Sequence, residues 1–115
     1  MPETKFVAKK RSPEVEQKFE HFYEKVKSMS KINENLLRVQ WSDAIEKWEL
    51  ITQQSVEDIF QFTEKQRIHE MRKILDFMKK EIKPLIPKKD EYENVLDALE
   101  LGAEGLFTSS PSLFQ

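Results

Sequence analysis

Cysteine is absent from the 115 residues, which excludes disulfides and cysteine-ligated zinc and leans the chain towards a reducing compartment. Glycine is almost absent: both copies, Gly102 and Gly105, stand near the C-terminal end. Between Pro13 and Pro84 lie 70 residues with neither Gly nor Pro, the two residue types that most readily end a helix. No apolar run approaches the roughly 18 residues of a membrane span, and the N-terminal MPETKFVAKKR has no apolar core of a secretory signal. Charge of one sign is also lacking, with a formal net charge of −2. The expected location is intracellular and cytoplasmic, with peripheral attachment to membranes as the one alternative.

What is present is a chain rich in Glu, Lys, Gln, Leu and Ile, 35% charged and 38% hydrophobic. That is the composition of long helices, in a length that allows one domain at most. Apolar residues recur at steps of three and four through Val15, Phe19, Phe22, Val26, Met29, Ile32, Leu36 and Val39. They resume through Ile45, Trp48, Ile51, Val56, Ile59 and Phe62, then Ile68, Met71, Leu75, Met78 and Ile82. Such a stripe predicts an all-α, elongated, coiled-coil-like architecture over 13–83.

Ser12-Pro13-Glu14 suits a helix start: Ser as cap, Pro at the first helical position, acids at the positive end of the dipole. Residues 1–12, with Lys5, Lys9, Lys10 and Arg11 against Glu3, form a short basic stretch without pattern, expected to be a disordered tail. A second start is offered at 40–43, where Asp43 and Glu46 have capping-box spacing and Trp41 stands off the preceding stripe. Two architectures follow: a continuous or kinked rod roughly 105 Å long at about 1.5 Å per residue, or a helical hairpin turning at 40–43. The lack of Gly or Pro at that corner favours the rod. Residues 84–89 are a proline-rich break. Residues 90–102 form a short acidic amphipathic helix with Gly102 as its C-cap, and 103–115 a flexible tail that retains Leu106, Phe107, Leu113 and Phe114.

Charge is uneven along the chain. Residues 41–64 sum to −5, residues 65–89 to +6 and residues 90–104 to −6. Lys65, Arg72 and Lys79 are spaced by seven, two helical turns, so they share one side of a helix. This ladder has three readings: a solvated face neutralised by 90–104 folding back, a contact with the acidic half of a second copy, or a contact with anionic lipid. Nucleic acid is not expected, because the ladder lacks interleaved aromatics and its flanks are acidic. Catalytic constellations are also missing. His21 and His69 are far apart, neither has a second His or Cys at metal spacing, and there is no phosphate loop or HExxH. Neither a cofactor nor a small-molecule substrate is expected, and the chain reads as a non-enzyme. Tyr92-Glu93-Asn94-Val95 matches a loose Tyr-x-x-apolar sorting pattern, but its place in an amphipathic helix favours packing.

Asp43–Glu49 (DAIEKWE), Phe60–Ile68 (FQFTEKQRI) and Met71–Met78 (MRKILDFM) together resemble the last long helix of BAR-superfamily proteins, the sorting nexins and F-BAR proteins. The resemblance covers 41–83. It implies a dimeric helical module on curved anionic membrane, with Lys65, Arg67, Arg72, Lys73, Lys79 and Lys80 as the contacting bases. A BAR module needs three long helices, more than this chain holds. The residues themselves favour a non-enzymatic scaffold or adaptor that pairs its long helix with itself, as a homodimer, or with another protein. Trp41, Ile45, Trp48, Ile59, Phe62, Ile68, Leu75 and Met78 would be the anchors on the partner helix.

Overall fold

The computed structural model describes residues 5–108. Polar caps divide the Gly- and Pro-free stretch into separate helices. α1 (Pro13–Met29) begins where the Ser12 hydroxyl accepts from the Val15 N–H at 3.3 Å, and it ends at Ser30, whose hydroxyl donates back to the Val26 carbonyl. Asn33 then caps α2 (Glu34–Thr52) by accepting from the Leu36 N–H at 3.0 Å. Gln53 takes a left-handed conformation, φ 56°, to close α2. The single-turn α3 (Val56–Ile59) follows, its first N–H held by the Glu49 carboxylate at 2.9 Å. Thr63 and Gln66 form a reciprocal capping box that opens α4 (Glu64–Ile82). A 3₁₀ turn at Lys83–Leu85 carries Pro84, and α5 spans Lys89–Phe107.

All-α is therefore the fold, with no strand among the described residues, but the rod is not. The Cα envelope measures 50 × 37 × 24 Å, against the roughly 105 Å expected of a continuous helix. The expected break at 40–43 lies in the middle of α2, and the Asp43–Glu46 pair caps nothing. The real corners, 30–33, 53–55 and 60–63, use Ser, Asn, Gln and Thr side chains to satisfy the backbone groups that a helix end leaves open.

α1 packs along α5, α2 along α4, and α4 also meets α5, so the first and last helices close the bundle. Trp41 is its hub, fully buried. The ring lies 4.2 Å from Phe22, 6.0 Å edge-on from Phe19 and 6.4 Å from Phe107, which stacks on Phe60. Gly102, expected to end the last helix, sits inside α5 at its closest approach to α1. A Cβ there would fall 2.8 Å from Val26 Cγ2 and 3.1 Å from the Phe22 ring. α5 accordingly runs on through 103–107, where a flexible tail was expected.

Polar ties fasten the pairs. Arg38 on α2 donates to both Glu20 carboxylate oxygens on α1 at 2.7 Å and to Glu34 at 2.9 Å, with its guanidinium 4.6 Å over the Tyr23 ring. Trp48 donates its indole N–H to Glu70 at 3.0 Å, and Lys47 pairs with Glu81, joining α2 to α4. The N-terminal stretch is likewise held rather than loose over its described part. The Lys9 N–H donates to the buried Ser55 hydroxyl at 2.7 Å, Lys9 Nζ meets Asp58 at 2.8 Å, and the Ser12 N–H donates to Glu57 at 2.8 Å. Residues 1–4 and Ser109–Gln115, with Leu113 and Phe114, lie outside the described residues.

Candidate interaction surface

The eight expected anchors are taken up largely by the protein's own core. Trp41, Ile45, Trp48, Ile59, Leu75 and Met78 are buried among α1, α2, α4 and α5 of the same chain, while Phe62 and Ile68 are half-buried against that core. The partner helix that the stripe calls for is supplied from within. Apolar residues that the stripe places on its seam point elsewhere: Val39 is 54% exposed and Ile51 68%. The restart of helical phase at Asn33 turns Leu37 and Trp41 inward instead.

The basic ladder also divides. Arg67 faces inward as a clamp, donating to the Phe107 carbonyl at 2.6 Å and the Phe62 carbonyl at 2.8 Å, and so satisfies the open end of α5. Lys79 lies 3.9 Å from Glu100 on α5, and Lys73 lies 3.4 Å from Glu70. Lys65, Arg72, Lys73 and Lys80 remain exposed along α4. The acidic stretch 90–104 runs beside α4 as α5, so the +6 and −6 blocks flank each other inside one molecule. Residues 41–83, one helix in the resemblance, form the end of α2, then α3 and α4, doubled back on themselves. Tyr92 donates its hydroxyl to the Lys79 carbonyl at 3.4 Å and Val95 is buried, which makes packing residues of both.

Two of the clefts among the described residues bear on recognition. The corner cleft, about 340 Å³, opens between the α1–α2 corner, the 3₁₀ turn and the first turns of α5. Ile32, Leu36, Leu85, Ile86 and Val95 give it an apolar bed, Leu85 standing 48% exposed. Lys31 and Asn33 from the α1–α2 corner and Asp90, Glu91 and Asn94 from α5 supply its polar lining. Both acids stand in the first turn of α5, whose N-cap Lys88 provides no side-chain cap, so they also suit the positive end of that helix. Neither pairs with a basic side chain of the described residues. Sequence reasoning treated 84–89 only as a break. The signal available was the apolar pair Leu85-Ile86 enclosed by two prolines, large aliphatics in a stretch that no helical stripe covers.

The second cleft, about 510 Å³, runs between α4 and α5. Ile68, Met71 and Leu75 form its floor. Arg72, Asp76 and Lys79 rise on the α4 side, Glu100 and Glu104 on the α5 side, with Thr108 at one end. No group of three His, Asp or Glu among the described residues could hold a metal ion, and no helix is long and apolar enough to cross a membrane. No family model, no curated protein and no solved structure matches the chain.

Proposed function

We propose that this protein is a non-enzymatic helical adaptor that binds a short segment of a partner protein in the corner cleft. The observation that carries the reading is the half-exposed Leu85 over an apolar bed beside Asp90 and Glu91, two carboxylates that meet no basic side chain among the described residues. Such a site suits an aliphatic or aromatic anchor side chain followed by Lys or Arg. Pairing through the long apolar stripe is replaced in this reading by docking onto a finished surface.

The test is selection of a displayed random peptide library on the full chain. Enriched peptides should pair a large apolar residue with a base. Leu85→Asp should weaken them by at least about tenfold, roughly 1.4 kcal/mol, and Asp90→Lys with Glu91→Lys should remove the basic preference. Peptides that ignore all three changes would overturn the proposal. The alternative, a BAR-like peripheral membrane protein of vesicle trafficking, rests on the exposed Lys65, Arg72, Lys73 and Lys80 of α4. Its support would be sedimentation with anionic liposomes at low salt that Arg72→Glu and Lys80→Glu abolish.

A further inference from the structure

We infer that the cleft between α1 and α5 at Gly105 is a binding site for a small organic carboxylate with an apolar body. It is a surface apart from the corner cleft and the α4–α5 groove, and the inference does not depend on the adaptor reading. Three observations carry it.

The first is the make-up of the walls. The cleft measures about 320 Å³, at the low end of the roughly 300–1,000 Å³ of small-molecule pockets. Phe22, Leu106 and the two glycines give it an apolar floor, and α1 contributes Lys18, His21 and Lys25. These three are spaced by three and four, so they share one face of the helix. No carboxylate lines the cleft, and neither lysine pairs with an acid among the described residues. Lys18 instead holds its ammonium 5.7 Å over the Phe60 ring. An anion here is attracted by bases that no lining acid opposes, unlike the α4–α5 groove with Glu100 and Glu104 on its wall.

The second is Gly105 itself. Glycine inside a helix is unfavourable relative to alanine. The contact with α1 explains Gly102, but a Cβ at the exposed Gly105 would meet only the Lys25 ammonium, at 3.3 Å. Packing therefore does not require glycine there. Its missing side chain leaves the floor bare beside that ammonium, and a larger residue would enter the space a ligand needs.

The third is the kind of donor on offer. All seven lining residues stand beyond the first turn of α1 or α5, so their backbone N–H groups are spent within the helices. The cleft has neither a helix N-terminus nor an arginine, the groups that commonly cradle a phosphate. An extended peptide would likewise find no free N–H to pair with. Two ammonium groups and an imidazole suit one carboxylate, and the apolar floor takes the body attached to it.

The test adds naphthoate to the full chain and follows its amide and methyl signals by NMR. The expected result is saturable shifts at Lys18, His21, Lys25, Gly105 and Leu106, with Leu36 and Leu85 unmoved. Lys18→Gln with Lys25→Gln should weaken binding by about tenfold or more, since charge-assisted bonds are lost. Gly105→Leu should weaken it as much by filling the cleft, with a chemical unfolding midpoint no lower than that of the unaltered chain. Both lysines are exposed, so their double substitution decides the matter if Gly105→Leu fails to fold. Neutral naphthamide binding as tightly as naphthoate would overturn the inference. So would inorganic phosphate giving the same shifts at the same concentration. Shifts confined to other residues, shifts that survive either substitution in a folded chain, or none up to millimolar naphthoate would also end it.

Discussion

The two glycines of this chain have opposite meanings, although they stand three residues apart on one helix. Gly102 is where α5 touches α1, and a methyl group there meets Val26 Cγ2 at 2.8 Å and the Phe22 ring at 3.1 Å. Gly102→Ala should therefore force the α1–α5 pair apart and cost about 1–3 kcal/mol, read as a lower midpoint in chemical unfolding. At Gly105 the nearest atom is the Lys25 ammonium at 3.3 Å, the far end of a flexible side chain. Gly105→Ala should be neutral or stabilise by up to about 1 kcal/mol, the helix-propensity difference. Equal losses from both would contradict this account of the helix contact. Trp48 separates two contributions in the same way. Trp48→Ala removes a fully buried ring and should cost about 3–5 kcal/mol. Trp48→Phe keeps most of the volume but leaves Glu70 without its indole donor, for about 1–3 kcal/mol.

Helix ends here are written in caps, and that is where sequence reading both worked and failed. Ser12-Pro13 marked the start of α1 correctly, and the helical period marked most of the buried residues. The breaks at 30–33, 53–55 and 60–63 hold neither Gly nor Pro, and Ser, Asn, Gln and Thr side chains end the helices there instead. Thr63-Glu64-Lys65-Gln66 carries the Thr-x-x-Gln pattern of a capping box in plain view, whereas Asp43–Glu46 has comparable spacing and caps nothing. What decides between them is the surrounding burial: Trp41, Ala44 and Ile45 are sealed in the core, so unwinding at 43 would expose them. No local pattern carries that information. Asn33→Ala and Thr63→Ala should each cost about 1 kcal/mol, while Asp43→Ala should be near neutral. The α1–α2 tie adds a pH dependence. Hydrogen bonds from Arg38 to Glu20, and from Lys27 and Arg38 to Glu34, hold both carboxyls below the ordinary value of 4.5. Folded values below the unfolded one mean that the tie stabilises fully above 4.5 and is lost as pH falls through the depressed values. Glu49 works the other way. Burial raises its carboxyl, so the cost of its charge is relieved as pH falls through that raised value. Melting temperature followed from neutral to acid pH should drop below 4.5, less so in high salt because the tie is exposed. Glu20→Gln with Glu34→Gln should flatten the acid limb.

At the scale of the molecule, the apolar stripe that promises a partner helix finds it in the same chain. A folded monomer of 13.7 kDa is therefore the expected species in light scattering. Its radius of gyration should lie near the 14.6 Å of the Cα trace rather than the about 30 Å of a 105 Å rod. A dimer that persists in Leu85→Asp would show an interface other than the corner cleft. Pairing of first helix with last was the part least legible beforehand, because a period of 3.6 states which face is apolar and not which helix covers it. The same pairing has a consequence for how the protein comes into being. Synthesis runs from α1 to α5, so Phe22 and Val26 have no cover on that side until the residues around Gly102 have been made. Until α5 is in place that face of α1 stands open to water, the condition in which a partly made chain most readily associates wrongly. α5 then acts as the latch, converting loop closure across α1 to α4 into one late, cooperative step.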